Sequence, residues 1–321
     1  LIADSSFRPA PWLKNPHLQT LWAALVRRQP ELDYRRERLD LPDGDFVDID
    51  WTLGQSGPIV VILHGLTGSI ESKYARGLMN AAHTRGWRAV LMNFRGQSGE
   101  PNRLPRSYHS GDTGDLDFLI HTLRKREPDT PLAVVGYSLG GNVVLKWMGE
   151  QGAAAPVKTA VAVSPPFDLA ISAKAINSGL SRGYQNKLLT DMRSAIETKF
   201  SDMEPPIELP DLEELQDFFS YDDAITAPLH GFRDVHHYYE ESSCGKYLKD
   251  IRVPTLVLHA IDDPFMSPVI VPTERMLSDQ VTLELSRYGG HVAFVAADKR
   301  GRPVYWLEQR IPEHLQNFLS G

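Results

Sequence analysis

The sequence predicts an α/β fold, a mostly parallel, doubly wound sheet with a helical cap inserted between two core strands. Three observations carry this. Short apolar runs without clean alternation recur at residues 58–63, 88–94, 131–136, 159–164 and 254–260, the mark of strands buried on both faces of a parallel sheet. Helix-length segments at 71–84, 112–126 and 139–150 separate the first four of these runs, and strand, helix, strand in repetition implies right-handed crossovers. The alternation then stops for about 84 residues, from Phe167 to Asp250, which is far too long for a loop.

Taken in order, residues 37–41 and 46–52 alternate around the turn-forming Pro42-Asp43-Gly44-Asp45 and read as an antiparallel hairpin ahead of the parallel strands. Within the interruption, Leu212, Leu215, Phe218 and Phe219 fall at helical spacing, with Pro205, Pro206 and Pro210 as punctuation. The insertion holds 10 of the chain's 29 aromatic residues, a modest excess that suits the roof of an apolar pocket. Residues 1–166 and 251–321 are therefore expected to form the core domain, and 167–250 the cap. After residue 260 come a helix near 272–277, a strand at 281–286 and an amphipathic helix over 304–318. No internal repeat or low-complexity tract is present.

With 321 residues, 42% hydrophobic and 23% charged, the composition is that of a globular protein. The net charge of −7 argues against nucleic acid as a partner, because phosphate binding calls for a basic excess on one face. A single cysteine, Cys244, excludes an intramolecular disulfide and a thiolate metal site, which fits a cytoplasmic location. Apolar runs are strand-length, so no transmembrane helix is expected, and residues 1–6 lack the pattern of a secretory leader.

The chemistry concentrates at Gly136-Tyr137-Ser138-Leu139-Gly140, a G-x-S-x-G pattern between an apolar strand and a helix. Glycines there allow a sharp turn that lifts the serine hydroxyl above the sheet. A serine nucleophile needs a base, and the base an orienting carboxylate, in the chain order Ser, acid, His. Asp263, in the loop after strand 254–260, is the first choice for the acid, with its neighbour Asp262 as the turn-stabilising alternative. Only His291 and His314 follow the acid; His314 lies in the terminal helix pattern as a surface residue, and His291 stands after the last strand in Gly289-Gly290-His291-Val292. The loop His64-Gly65-Leu66-Thr67-Gly68 follows a buried strand, and the backbone N–H groups of Leu66 and Leu139 are expected to form an oxyanion hole. His236, His237, Glu240 and Glu241 offer i, i+4 pairs without a third ligand, so they read as a solvated face; no metal and no cofactor is expected.

Beyond these residues the chain resembles the YheT-like branch of the α/β-hydrolase superfamily, also called AB-hydrolase family 4. The likeness rests on Phe7-Arg8-Pro9-Ala10-Pro11-Trp12-Leu13-Lys14-Asn15-Pro16-His17-Leu18-Gln19-Thr20, on Asp43-Gly44-Asp45-Phe46, Asp50-Trp51 and the His64 to Gly68 loop. Arg95-Gly96-Gln97-Ser98-Gly99-Glu100-Pro101-Asn102 and Tyr108-His109-Ser110-Gly111-Asp112 extend it. The resemblance implies the α/β-hydrolase fold, with Ser138 as nucleophile, Asp263 as acid and His291 as base. It implies a serine esterase acting on small carboxylic esters, short- to medium-chain acyl esters among them, with acyl transfer to an alcohol or ligand binding without catalysis as alternatives. Gln97 stands where relatives often have Cys, and Ala293 where they often have Gly, the latter a change that would narrow a pocket it faced. The Asn15 to Gln19 and Tyr108 to Asp112 clusters are expected to serve structural hydrogen bonding.

Overall fold

The computed structural model describes residues 1–320. The chain begins with a short strand β1 (Ile2–Asp4), helix α1 (Pro16–Leu21) running into a π-helical turn (Trp22–Val26), and the hairpin β2 (Tyr34–Asp40) and β3 (Phe46–Thr52). There follow β4 (Ile59–Leu63), α2 (Lys73–His83), β5 (Arg88–Met92), α3 (Gly114–Arg126), β6 (Leu132–Tyr137), α4 (Leu139–Gln151) and β7 (Thr159–Val163). Between β7 and β8 (Thr255–Ala260) lie α5 (Leu169–Ile176), α6 (Arg182–Phe200), α7 (Phe218–Tyr221), a π-helical turn (Asp222–Thr226), α8 (Ala227–Leu229) and α9 (Val235–Ser242). The chain ends through β9 (Val281–Ser286), β10 (Val295–Ala297), β11 (Pro303–Tyr305) and α10 (Leu307–Leu319).

Nine strands form one sheet in the order β1-β9-β8-β7-β6-β4-β5-β3-β2. All neighbours from β1 through β5 pair parallel, and the hairpin adds two antiparallel strands at one edge. The apolar runs supply two cores at once because successive side chains leave opposite faces. Ile59, Val61 and Leu63 pack with Leu116, Val143 and Trp147 of α3 and α4, whereas Val60 and Ile62 pack with Leu78, Met79, Ile311 and Leu315 of α2 and α10. Strand order reverses between β4 and β6, so a crevice opens beyond their carboxyl ends, where α/β sheets bind ligands.

Outside the inserted segment, three expectations need correction. No α-helix forms over 272–277: the segment makes only one 3₁₀ turn, Glu274–Met276, and it stays separate from the preceding turn, Pro268–Ile270, because Pro272 has no N–H to bond the Pro268 carbonyl in an α-helical pattern. The last helix starts at Leu307 rather than 304, since Val304 and Tyr305 pair with Ala296 and Val295 in the β10–β11 hairpin. His314 is not a free surface residue: it is half-buried, its Nε2 lies 2.9 Å from Thr159 Oγ1, and burial pulls its pKa down to about 4.

The inserted helices carry small cores of their own. Leu189 and Ile196 of α6 pack with Leu215, Tyr221 and Ile225. The helical spacing at 212–219 resolves into a 3₁₀ turn (Leu212–Glu214) and a separate α7, because Asp217 caps α7 by accepting from Ser220 N at 2.8 Å. No helix among the described residues is long and apolar enough to cross a membrane.

The hairpin turn is locked to α3 by a buried cation. The Arg95 guanidinium donates to Asp115 at 2.6 and 2.8 Å, to Asp43 at 2.7 Å and to Asp45 at 3.0 Å. Burial alone would raise the Asp45 pKa, but hydrogen bonds from Asn102 and two backbone N–H groups, with the Arg95 charge, outweigh it and lower it. Asp115 moves the other way, raised chiefly by burial. Arg95→Met should leave these carboxylates facing one another and destabilise the fold by about 3–5 kcal/mol near neutral pH. Without the cation the folded state holds protons that the unfolded chain releases, so the deficit should shrink as pH falls. Urea unfolding of both proteins across pH checks the size and the sign.

Candidate active site

Ser138 sits at the junction of β6 and α4 with φ 53° and ψ −119°, a backbone conformation that L-residues rarely adopt. The turn that imposes it has no room for side chains: a Cβ on Gly136 would lie 2.2 Å from Gly140 O, and one on Gly140 would lie 2.5 Å from His64 O. Raised in this way, Ser138 Oγ–H donates to His291 Nε2 at 2.9 Å, and His291 Nδ1–H donates to Asp263 Oδ2 at 2.8 Å. Asp263 and His291 are 3% and 6% exposed, so the pair is shielded from solvent while Ser138 opens on a cavity. The structure thus brings together the three side chains selected from the sequence.

Asp262 has a different task from its neighbour. Its Oδ1 accepts from Gly290 N at 3.0 Å, which steadies the loop carrying His291, and burial raises its pKa to about 6. The same loop is held by Thr20 Oγ1, which accepts from His291 N at 3.0 Å. Gly290, at φ 58°, allows that approach, since a Cβ there would meet Pro16 O and Thr20 Oγ1 at 2.7 Å. Thr20 is in place because Asn15 caps α1, accepting from His17 N and Leu18 N at 2.9 and 3.1 Å. Gln19, fully buried, then ties α1 to Leu13 O and to both backbone groups of Val295. The Asn15 to Gln19 cluster is a structural brace that extends by one residue, Thr20, to the imidazole loop. Ala293 packs with Ala10, Leu13 and Val295, away from the cavity, so its methyl does not narrow it.

The loop after β4 is fixed from three sides. His64 is buried with its pKa pulled to about 4 by burial; Nδ1–H donates to Gly65 O at 2.7 Å and Nε2 accepts from Phe94 N at 3.1 Å, so the ring is a neutral strut. The N–H of Gly65 donates to the Tyr74 hydroxyl at 2.8 Å, and that of Thr67 donates to the Tyr108 hydroxyl at 2.9 Å. The intervening N–H of Leu66 and the first helical N–H of Leu139 have no protein acceptor among the described residues. Gly65 lies against the nucleophile, where an added Cβ would be 3.3 Å from Ser138 Cβ, so this loop borders the reacting oxygen. Tyr74, Tyr108 and Thr20 were not selected from the sequence as site residues; Tyr108 and Thr20 stood within the motifs that carry the family likeness, and Tyr74 had no signal there.

Above the serine, the inserted helices overhang a partly open cavity of about 220 Å³ with an apolar lining that includes Leu169, Ile176, Leu188, Met192 and Phe218. Segment 108–111 links this roof to the core: Ser110 N donates to Tyr238 of α9 at 3.1 Å, and Ser110 O accepts from Asn142 of α4 at 2.7 Å. The four residues considered as metal ligands do not converge. His237 Nδ1 accepts from Arg233 N at 3.2 Å, His236 packs on Phe219, and Glu241 pairs with Lys246 at 2.9 Å.

Comparison with known proteins bears on the family and the fold. A family model described as alpha/beta hydrolase fold matches residues 58–298. "Putative esterase YheT" of Escherichia coli (strain K12) is 41% identical across 99% of this chain and 95% of its own length. "Monoacylglycerol lipase" of Saccharomyces cerevisiae is 32% identical over 77% of this chain and 57% of its own, and "Phospholipase ABHD3" of Homo sapiens is 25% identical over 92% and 75%. Among solved structures, the Pyrococcus furiosus esterase Pf2001 covers 99% of both chains with a TM-score of 0.59 at 16% identity, a likeness of fold.

Gly290→Ala tests the brace. Both the φ and the missing space oppose a Cβ, so the loop should shift and carry the imidazole off line. A displacement of about 1 Å at a reacting group costs roughly 100-fold in rate. Ester turnover should fall by about that factor while circular dichroism stays native; an unchanged rate would show that the loop tolerates the shift.

Proposed function

The chain belongs to the alpha/beta hydrolase fold family as a YheT-like ester hydrolase, and from that premise we propose that Ser138, His291 and Asp263 cleave carboxylic esters through an acyl-enzyme. The observation that supports the reading is the unbroken hydrogen-bond chain from Asp263 through His291 to Ser138, at 2.8 and 2.9 Å, at the base of an apolar cavity.

In this mechanism Ser138 Oγ bonds to the ester carbonyl carbon as its proton passes to His291 Nε2, and the carbonyl electron pair moves onto oxygen. The N–H groups of Leu66 and Leu139 donate to that oxygen, where charge develops. Asp263 keeps the imidazole in the tautomer with the proton on Nδ1 and stabilises the imidazolium. Collapse expels the alcohol, which takes the proton from His291. A water activated by the same imidazole then attacks the acyl-enzyme and frees the acid and the serine.

Residues 167–250 act as a cap in this reading, their apolar side chains receiving the acyl chain. The apolar lining beside Ser138 gives a short or medium acyl chain a surface to lie against. The substrate is a small ester whose acyl part is apolar.

Ser138→Ala should lower turnover by at least about 10⁴-fold, as loss of a triad nucleophile does. It should abolish labelling by a fluorophosphonate and keep the unfolding free energy from urea titration within about 0.5 kcal/mol of the parent. Turnover surviving in the variant would contradict the reading. A series of p-nitrophenyl esters should peak among short and medium chains; a maximum at long chains would contradict the assignment of the cavity.

A further inference from the structure

The mechanism above leaves one contact of the base unused, with the half-buried Phe265 at the edge of the cavity. Phe265 follows Asp263-Pro264, and its N–H donates to Asp263 Oδ1 at 2.8 Å, so the loop that presents the acid also fixes this ring. The ring lies flat on the His291 imidazole, with centroids 4.0 Å apart and planes 7° from parallel. Behind it Tyr184 of α6 packs on Phe265 at 4.9 Å, and His17 of α1 stacks on Tyr184 at 5.8 Å, its Nδ1 3.2 Å from the tyrosine hydroxyl. Four rings from four separate segments form a series that ends on the base.

We propose that Phe265 is a positioning residue that holds the imidazole plane in line with Ser138 and Asp263 and stabilises its protonated form during acyl transfer. The inference rests on the triad reading above. As Ser138 Oγ bonds to the carbonyl carbon and its proton moves to Nε2, His291 gains a positive charge directly over the electron-rich face of Phe265. Neutral imidazole gains far less from that face. The contact is therefore stronger in the transition state than in the ground state, so it raises kcat rather than lowering KM. Tyr184 and His17 back the ring, which makes α6 of the inserted segment part of the support of the base.

The test replaces Phe265 in the full-length enzyme by mono-, di- and trifluorinated phenylalanine, which keep the ring's shape while draining its negative face, with turnover measured on a short-chain p-nitrophenyl ester. The expected result is a stepwise fall in kcat, about 3- to 30-fold by the trifluorinated ring, with KM changed by less than about twofold. Phe265→Leu should lose at least as much. A kcat that stays flat across the fluorine series overturns the proposal even if Phe265→Leu is impaired, because that loss would then report packing alone. Ser138→Ala assayed alongside separates the two levels. If it is dead while the fluorine series is flat, only the role of Phe265 fails; if it keeps full turnover, the triad reading fails and the role of Phe265 with it.

Discussion

The tight passage of the chain from β6 into α4 is the constraint to which the rest of the site is fitted. A serine at φ 53° costs on the order of 1–3 kcal/mol and persists only where its surroundings over-determine it. Here they do. Ser138 N donates to Val163 O at 2.8 Å across the sheet, and Gly136, Gly140 and Gly141 remove the side chains that would hold strands and loop apart. Because Gly140 has no Cβ, Leu63 O and His64 O reach the first turn of α4, so the loop after β4 rests on the same turn that raises the nucleophile. One backbone feature thereby sets both the reacting oxygen and the loop proposed to stabilise its product.

Once the serine is placed, the base and the loop donors must be brought to it from distant parts of the chain. The imidazole loop is itself unusual, with Gly289, Gly290, Val292 and Phe294 all at positive φ, and for a β-branched residue such as Val292 that is a real outlier. Its conformation is held by Asp262 from one side and Thr20 from the other. This explains why a buried glutamine such as Gln19, satisfied at every polar atom by backbone groups, lies so near a site it never touches. The tyrosine hydroxyls serve the other loop, taking up the two N–H groups that flank Leu66. Segment 108–111 then joins that loop to α4 and α9, so the inserted helices and the core share one network.

Much of this was legible in the sequence, for reasons that differ by element. The parallel strands announce themselves because burial on both faces demands unbroken runs such as Ile59–Leu63 and Thr159–Val163. The elbow is legible because only glycine satisfies its steric demands, and Asp263 and His291 because strand ends limit where an acid and a base can stand. The N-terminal brace was not legible as such: β1 has three residues and α1 six, too short for a periodic signal, and their partners lie about 280 positions away. The inserted segment misled most at 212–219, where apolar spacing suited one helix but Asp217 starts a new one. Pairwise choices such as Asp262 against Asp263 turn on which carboxylate faces the imidazole, and that is decided by geometry rather than by residue type.

The central claim is that the turn at Ser138 and the loop at Leu66 together form a preorganised site for a tetrahedral oxyanion. A crystal structure of the enzyme inactivated by an alkyl phosphonate tests it most directly. The account predicts phosphorus bonded to Ser138 Oγ, its non-bridging oxygen within about 2.7–3.1 Å of both Leu66 N and Leu139 N, and the alkyl chain beneath α5 and α6. An adduct on another residue, or a phosphonyl oxygen turned away from both N–H groups, would contradict it.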